Sequence, residues 1–314
     1  MIRLFMNQLR LCDVTMTTSN IPPNIHVRKQ LIHKLLTVYK PKSMEIGILG
    51  DVLSAESSCI GYSSMKKPLL IDQVLQMYQT QQLCNFAEQI QAQQIQAQHM
   101  QATNNNETPC QIYMVLPMNR LSELKTNVYG NIAINSSLSD KFLREYTAYS
   151  LKDTKEILRD VFHKKVTPQK VTPQKVKLNI ACISHCDLEG KQPLDKIIQE
   201  VLYYNGLAGI DDICLYDTYG MLQFDDFKTI IDSLLREKMD MTKINLRLHN
   251  FTYSQYSSRL QINNEAIIKY AIKNHIYKLD VVQNDTNNNF NNVLTYTSLE
   301  NNLEQDEYPA LAFY

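Results

Sequence analysis

Three runs in the second half of the chain end in polar residues that could do chemistry. The runs VKLNIACISHCDLEGK, DDICLYDTYG and INLRLHNFTYS begin at residues 176, 211 and 244. Each has the apolar character of a buried strand, and helix-like sequence separates them. The carboxylate of Asp217 and the imidazole of His249 stand at the ends of two of these runs. A (β/α)8 barrel builds its active site at the carboxyl ends of its strands, so we expect a candidate site there.

Both side chains also have a structural interpretation. Asp217 could cap the following helix together with Thr218. His249 could be a partly buried histidine at a strand end, hydrogen-bonded to a neighbour. Cys182 and Cys186 lie four residues apart without a second pair of ligands, so we interpret them as core packing rather than zinc ligands.

The sequence around these runs alternates strand-like and helix-like stretches. Amphipathic helices are predicted at residues 27–39, 150–162, 194–204 and 224–238. Strict alternation favours a parallel sheet, and eight strand–helix units favour its closure. We therefore predict an α/β fold in which residues 1–314 form a single (β/α)8 TIM barrel with a shortened C-terminal part. The eight predicted strands are Leu9–Val14, Ser43–Leu49, Gln111–Leu116, Asn131–Asn135, Leu178–Ile183, Asp211–Tyr216, Ile244–His249 and Tyr277–Val282.

Three segments interrupt this alternation. Residues 73–108 form a Gln/Asn-rich insertion, in which we expect a helix that continues into a glutamine-rich tail burying too little surface to order itself. A coiled-coil partner helix is the alternative for this insertion. Residues 164–176 contain the duplication KVTPQKVTPQ, whose prolines forbid a regular helix and predict an exposed linker. Residues 283–314 are expected to form an Asn-rich loop and a tail.

Composition excludes several classes of function. The formal net charge is zero, which predicts no nucleic-acid partner. No run of 18 apolar residues occurs, so no membrane association is expected. The basic opening MIRLFMNQLRL flows into a predicted strand and is interpreted as structure rather than as a targeting peptide. Seven cysteines form no even framework, which predicts reduced thiols and a cytoplasmic location.

The motifs at the strand ends resemble those of the 3-hydroxy-3-methylglutaryl-CoA lyase family and its metal-dependent barrel relatives. IACISHCDLEGK (180–191) is similar to the fifth strand of that family, and DICLYDTYG (212–220) resembles its sixth. LRLHNFT (246–252) resembles the seventh more weakly. The resemblance spans nearly the whole barrel, and its most specific motif is the DT-x-G run.

The resemblance implies a retro-aldol type of cleavage that yields acetyl-CoA and acetoacetate. It also implies magnesium or manganese, which holds oxygen atoms of the substrate, and cationic groups that steady the enolate. The family places an Asp after the first strand with an Arg beside it, an H-x-H pair on the seventh strand, an Asn beyond the eighth, and a Cys on a glycine-rich loop. An acyl-CoA is therefore a possible ligand.

The resemblance also implies that much of this set is missing here. On the first strand, CDVTMTTS (12–19) places Thr17 at the catalytic Arg and Thr18 at the metal-binding Asp. A shifted register would place Asp13 on the metal and Cys12 at the Arg. The Arg is absent in both registers, and a hydroxyl does not replace a fixed cation.

The later strands also lack residues that the family uses for metal binding and catalysis. His249 matches the first metal-binding His, whereas Phe251, which offers no lone pair, occupies the second position. Asp217 matches the acidic residue of the sixth strand. Beyond the eighth strand, QNDTNNNFNNV (283–293) offers Asn291 or Asn292 as the ligand Asn but contains no glycine and no cysteine.

We therefore interpret the chain as a degenerate, lyase-like barrel that is catalytically inactive and acts as a binding or interaction protein. No cofactor is expected, or Mg²⁺ or Mn²⁺ if the site still works, with His249, Asn292 and Asp13 as its ligands and Asp217 as the catalytic residue. A protein partner or a homo-oligomer is possible. The alternative is an active carbon–carbon lyase of the same superfamily that cleaves an acyl-CoA or a 2-hydroxy-type acid with altered residues.

Overall fold

The computed structural model describes residues 9–18, 24–48, 81–93, 96, 109–118, 120–121, 130–162, 175–249, 257–283, 293–296 and 299. The strands among them are β1 (Arg10–Asp13), β2 (Ser43–Ile48), β3 (Gln111–Leu116), β4 (Asn131–Ser137), β5 (Val176–Ala181), β6 (His185–Cys186), β7 (Gly190–Lys191), β8 (Asp212–Tyr216), β9 (Ile244–Arg247) and β10 (Lys278–Val281).

Eight of these strands close into a barrel in the order β1-β10-β9-β8-β5-β4-β3-β2. Every neighbouring pair in the barrel is parallel. The short strands β6 and β7 pair antiparallel beyond the carboxyl end of β5. The predicted (β/α)8 barrel is therefore confirmed, and all eight predicted strands are present with ends that differ by at most two residues.

Helices follow the strands as the alternating pattern predicts. Asn24 caps helix Ile25–Lys34 by accepting a hydrogen bond from the backbone N–H of His26 at 2.9 Å. Ser139 caps helix Asp140–Thr147 by accepting from the backbone N–H of Phe142 at 3.0 Å. No helix within the described ranges is long and apolar enough to cross a membrane. Besides a helical stretch in the glutamine-rich insertion, the α-helices are α1 (Thr15–Thr18), α2 (Ile25–Lys34), α3 (Asp140–Thr147), α4 (Leu151–Phe162), α5 (Leu194–Asn205), α6 (Phe224–Arg236) and α7 (Ser257–Lys273), and a π-helical turn (Leu35–Tyr39) extends α2.

The two faces of each strand have different roles. Successive side chains of a strand point to opposite faces of the sheet. One face carries aliphatic residues such as Ile46, Leu178 and Leu246, which are buried against the surrounding helices in the main hydrophobic cluster. The other face points into the barrel, and it is there that the strands carry polar residues.

The glutamine-rich insertion contributes a helical stretch at residues 81–93. Leu83, Ala87 and Ile90 are buried on it, at 0 %, 0 % and 7 % exposure. A helix is thus present where the sequence predicts one, and the glutamine-rich tail after it stays a prediction. The other residues of 73–108, except residue 96, lie outside the described residues. The same holds for the linker up to residue 174 and for residues 284–292 and 300–314.

Candidate functional site

Four charged side chains meet inside the barrel, on strands that lie far apart in the sequence. Glu45 belongs to β2, Lys177 to β5, Arg247 to β9 and Asp280 to β10. Each is exposed by 2 % or less. Branched aliphatic residues dominate the interior of an ordinary (β/α)8 barrel, so this group of four, named here the ion network, sets the chemistry of this barrel apart.

The ammonium group of Lys177 connects both acids of the ion network. Its Nζ donates to Oε1 of Glu45 at 2.9 Å and to both carboxylate oxygens of Asp280 at 2.8 Å. The Sγ atom of Cys12 lies 3.5 Å from the same nitrogen. The three donor positions of the ammonium group are thus directed at acceptors inside the barrel.

The guanidinium group of Arg247 makes a second bridge between the same two acids. Nη2 lies 2.9 Å from Oε1 of Glu45 and 2.6 Å from Oδ2 of Asp280. Nε donates to Oδ2 of Asp280 at 2.7 Å. The plane of the group lies over the ring of Tyr216, 5.1 Å from its centroid. The planar, forked guanidinium group of Arg suits a buried position in which it contacts two carboxylates and an aromatic ring.

Neutral side chains complete the shell of the ion network. Asn245 donates to Oδ1 of Asp280 at 2.6 Å, and Asn179 donates to Oε1 of Glu45 at 3.2 Å. Thr17 donates its hydroxyl proton to Oε2 of Glu45 at 2.8 Å. The residue that the sequence comparison placed at the catalytic Arg therefore serves as a hydrogen-bond donor to a carboxylate of the barrel interior.

The pKa shifts of Glu45, Lys177 and Arg247 favour the charged form of each group. Burial alone would raise the pKa of Glu45, but Arg247 and Lys177 beside the carboxylate lower it to about 2. Burial would lower the pKa of Lys177, yet Asp280 and Glu45 raise it well above its usual value. The pKa of Arg247 is raised by the same two carboxylates. Desolvation of ions costs several kcal/mol each, so this buried network relies on complete pairing.

Asp217 lies just beyond β8, where the sequence predicted a catalytic or capping acid. Its Oδ1 accepts from the hydroxyl of Ser184 at 2.7 Å and from the backbone N–H of Met221 at 3.1 Å, and its Oδ2 accepts from the N–H of Leu222 at 3.2 Å. Burial raises the pKa of Asp217, and the bond from Ser184 opposes that effect. The carboxylate therefore organises the loop between β8 and α6, whose N-cap is Gln223.

His249 follows β9 and lies two residues after Arg247, so strand alternation places it on the same inward-facing side. It is 3 % exposed, and burial lowers the pKa of its imidazole to about 4, so the ring is neutral at physiological pH. Its backbone forms an antiparallel bridge with Val293, and its carbonyl accepts from Nδ2 of Asn264 at 2.9 Å. The backbone around His249 is thus fixed on both sides at the carboxyl rim of the barrel.

Asp13 is the last residue of β1. Its neighbour Cys12 faces inward and contacts the ion network, so strand alternation places Asp13 on the opposite face. Its Oδ1 accepts from the backbone N–H of Thr15 at 3.0 Å, and its Oδ2 accepts from the hydroxyl of the same residue at 3.1 Å. Burial raises its pKa to about 7, against the lowering effect of these two bonds. The alternation of the strand thus directs Asp13 away from the inward face that His249 shares. Thr18 belongs to α1, and Asn292 lies outside the described residues.

The two cysteines of the fifth strand region are free thiols, like every cysteine in the described part of the chain. Both are buried, and Sγ of Cys186 lies 3.1 Å from the hydroxyl oxygen of Ser139. They pack in a rim cluster with Phe142 and Tyr216. Their surroundings agree with packing and provide no set of zinc ligands.

These residues do not fit a divalent metal as they stand. Within the described ranges, no group of three or more His, Cys, Asp or Glu side chains is arranged to hold a metal ion. Asp217 and His249 follow adjacent strands, but the oxygens of Asp217 are bonded to a hydroxyl and to loop amides. The acids that do converge, Glu45 and Asp280, have cations between them. We therefore derive no catalytic step through a metal.

Sequence reasoning missed the ion network, although the strands carry a signal for it. Each member is an ionisable residue flanked on both sides by apolar residues, as in Leu246-Arg247-Leu248 and Leu279-Asp280-Val281, and all but Lys177 lie within a predicted strand. A strand with one buried apolar face and a single charge on the other favours a charged barrel interior when several strands share the pattern. The signal predicts a cluster, not which charges pair.

Comparison with known proteins gives matches among solved structures. No protein-family model and no curated protein sequence matches the chain. The HMG-CoA lyase of Bacillus subtilis is similar over 96 % of this chain and 87 % of its own, with a TM-score of 0.61 and 13 % identity. Hydroxymethylglutaryl-CoA lyase from Pseudomonas aeruginosa matches over 95 % and 86 %, with a TM-score of 0.61 and 15 % identity.

A third neighbour was solved with ligands. The HMG-CoA lyase of Acinetobacter baumannii, in complex with coenzyme A and 3-methylmalate, covers 96 % of this chain and 85 % of its own, with a TM-score of 0.59 and 15 % identity. Identities of this size bear on the fold and not on the activity. The chain has the barrel fold of the HMG-CoA lyases, as the sequence motifs indicated.

Proposed function

We propose that this barrel is inactive as a lyase and acts as a binding or interaction protein. The observation that carries the proposal is the balance of charge inside the barrel. Two carboxylates, Glu45 and Asp280, are matched by two cations, Lys177 and Arg247, and every one of these groups is bonded to a partner of opposite sign. A site of this kind has no surplus charge to offer either a metal or an enolate.

Sequence differences support the same proposal. The resemblance requires an Arg beside the first strand, where Thr17 stands and donates to Glu45. It also requires a second metal-binding His, where the sequence has Phe251. Catalytic groups that act as a unit are not lost additively, and the loss of one removes most of the rate. Fold alone does not carry activity.

The partner we propose is a protein segment rich in carboxylates. A cavity of about 500 Å³ is lined by His26, Lys29, Gln30 and His33 on one face of α2 and by Phe86 of the glutamine-rich insertion. Nζ of Lys29 lies 5.3 Å from the centroid of the Phe86 ring. Helix α2 carries no acidic residue, so this groove presents one ammonium group and two imidazole rings beside an aromatic ring.

Two further proposals concern ligand and location. Coenzyme A in the A. baumannii neighbour supports an acyl-CoA as a small ligand that this barrel could bind without cleaving it. The free thiols of the described cysteines support a cytoplasmic location, because reducing compartments keep thiols unpaired.

The test is a combined activity and binding assay on the purified protein. Acetoacetate release from 3-hydroxy-3-methylglutaryl-CoA is measured with Mg²⁺ and with Mn²⁺, beside an Asp217→Ala variant as the background. Thermal unfolding is followed under the same conditions, because a ligand of the folded state raises its stability. We expect equal background rates in both proteins. Metal-dependent release above the Asp217→Ala level would refute the proposal.

The alternative is an active carbon–carbon lyase with an altered site. The placement of Asp217 and His249 after adjacent strands β8 and β9 favours it. It predicts turnover of an acyl-CoA or 2-hydroxy acid that His249→Ala abolishes while its thermal unfolding stays close to that of the parent protein. Turnover that survives His249→Ala counts against this alternative.

A further inference from the structure

A layer of inward-facing side chains lies beyond the ion network, towards the carboxyl end of the barrel. Cys12, Asn179 and Cys214 contact members of the network, and Asp280 is one of its members. Because strand alternation places residues two positions apart on the same face, the next inward residues along these four strands are Val14, Ala181, Tyr216 and Val282. All four are buried in the rim cluster, and their side chains are apolar apart from one hydroxyl group. An apolar layer therefore separates the ion network from the carboxyl face over these strands.

A short segment of the chain, Val293–Tyr296, is attached to the carboxyl ends of β9 and β10. We name this segment the strap. Val293 forms an antiparallel bridge with His249 beyond β9, and Thr295 forms a parallel bridge with Val282 beyond β10. The strap thus joins two neighbouring strands of the barrel at the edge where their ends open towards the mouth.

Three backbone hydrogen bonds join the strap to these strand ends. The N–H of Leu294 donates to the carbonyl oxygen of Leu248 at 2.9 Å, and the carbonyl oxygen of Leu294 accepts from the N–H of Val282 at 3.0 Å. The N–H of Tyr296 donates to the carbonyl oxygen of Val282 at 3.2 Å. The backbone of the strap is therefore fixed to both strand ends in the way that an added strand would be.

The side chain of Val293 closes part of the barrel mouth. It is 1 % exposed and packs in the rim cluster together with Val282 of the apolar layer. Leu294 packs in the main hydrophobic cluster instead, and the ring centroid of Tyr296 lies 4.6 Å from that of Tyr39. The strap thus contributes Val293 to the mouth, whereas its next residues anchor it to the outer body of the barrel.

The strap is held by fewer backbone contacts than the barrel strands. Its bridges at Val293 and Thr295 are isolated and join one residue pair each, whereas β4 and β5 pair through six consecutive residues. Segments with few backbone hydrogen bonds open locally at a lower free energy than the unfolding of the whole domain. We therefore expect the strap to open while the barrel stays folded.

We propose that the strap is an autoinhibitory contact, which closes the barrel mouth on the side of β9 and β10 and opens as a unit to admit small molecules. In the open form Val293 has left the rim cluster, and the apolar layer above the ion network is accessible. The inference goes beyond the proposed function, because it concerns entry into the barrel and not the groove beside α2.

The test is the rate at which iodoacetamide alkylates the rim cysteines of the folded, full-length protein, followed for each residue by mass spectrometry. Cys12, Cys182 and Cys186 are buried free thiols of the rim cluster. In Val293→Ala they should react about tenfold faster than in the parent protein, because opening costs less once two buried methyl groups are lost. Cys84, which is buried on the helical stretch of the insertion, should keep its rate.

Val201→Ala is the matched control. Val201 is 0 % exposed on α5 in the main hydrophobic cluster, so its substitution removes the same two methyl groups at a site away from the strap. The ratio of the rim-cysteine rates to the Cys84 rate should stay at the value of the parent protein. The proposal fails if this ratio is unchanged in Val293→Ala, or if Val201→Ala raises it as much.

Native-state hydrogen exchange of the parent protein gives a test that needs no variant. The N–H groups of Leu294 and Tyr296 should exchange together, about tenfold or more faster than the N–H groups of β5. Exchange of the two groups at the rate of β5 would show that the strap opens only when the whole barrel unfolds, and would refute the proposal. Lyase activity in the parent protein would overturn the proposed function and leave this inference standing.

Discussion

Nη2 of Arg247 lies 2.9 Å from Oε1 of Glu45, although β9 and β2 are separated around the barrel by β10 and β1. The contact crosses the interior instead of following the wall. Each residue reaches the centre because it occupies an inward position of its strand. The pair therefore closes the barrel from within and joins residues that are 202 positions apart.

The ion network should behave as one energetic unit. Lys177→Met leaves two carboxylates to share one cation, and an uncompensated buried charge costs about 3–5 kcal/mol of the free energy of unfolding. Glu45→Leu combined with Lys177→Met restores the charge balance, so the double variant should cost about 1–3 kcal/mol less than the two single variants added together. Urea denaturation of the four proteins measures this coupling. Additive losses would show that the pair acts independently.

Asp217 should matter to stability through its loop. Asp217→Ala removes the acceptor of the Ser184 hydroxyl and of two backbone N–H groups, and we expect a loss of about 2–4 kcal/mol in the free energy of unfolding. Asp187→Ala, at an exposed acid near the same rim, should change it by less than about 0.5 kcal/mol. Chemical denaturation compares the two, and equal effects would contradict the structural role of Asp217.

Asp13 should make stability decline as the pH rises towards neutrality. Its pKa is raised from 3.8 to about 7 by burial, so between these values the folded protein binds a proton that the unfolded chain has released. The stabilisation is complete below pH 3.8 and is lost as the pH rises through about 7. Asp13→Asn keeps an acceptor and does not titrate, so its free energy of unfolding should vary less between pH 4 and 7. An unchanged slope would speak against the raised pKa.

His249 should make stability decline as the pH falls, the opposite of the effect of Asp13. Burial lowers its pKa from 6.5 to about 4, so below pH 6.5 the unfolded chain takes up a proton that the folded protein refuses. Stability is therefore lost as the pH falls from 6.5 to 4. His249→Gln should remove this part of the acid sensitivity in urea denaturation at pH 4.5 relative to pH 7. Proton titration by nuclear magnetic resonance, showing a pKa near 6.5 in the folded protein, would overturn the prediction.

Gly209 should tolerate no side chain. A Cβ atom there would lie 2.5 Å from Cδ1 and 3.2 Å from Cβ of Phe162, so the Phe162 side chain at the end of α4 would have to shift. We expect Gly209→Ala to lower the free energy of unfolding by about 1–3 kcal/mol. Gly130→Ala is the control, since its Cβ would meet no atom within 4 Å. Equal thermal stability of both variants would show that Phe162 yields without cost.

The strands and helices could be predicted from the sequence because they depend on local periodicity. Apolar residues that recur along 224–238 identify α6, and the apolar runs at 211–216 and 244–249 identify β8 and β9. Predicted and observed strand ends differ where tertiary contacts decide them. His249, for example, pairs with Val293 instead of extending β9. Closure of the barrel followed from the number of strand–helix units.

The position of the candidate site could be predicted from the sequence, but the contacts of its residues could not. Asp217 and His249 were correctly expected at strand ends, yet the bonds that occupy Asp217 come from a loop whose path no local pattern fixes. The pairing of Glu45 with Arg247 depends on the stagger of strands around the closed barrel. Such contacts become visible only when all eight strands are in place, which is why single charges in the strands were not recognised as a network.

The ion network has a consequence for how such a chain can be divided. The first four barrel strands contain Glu45 as their member of the network, whereas the last four contain Lys177, Arg247 and Asp280. Each half-barrel expressed alone would bury an unmatched charge, negative in one case and positive in the other, without the strands that neutralise it. Neither half is then a self-sufficient folding unit, and complementation of the two fragments should restore a structure that neither attains alone.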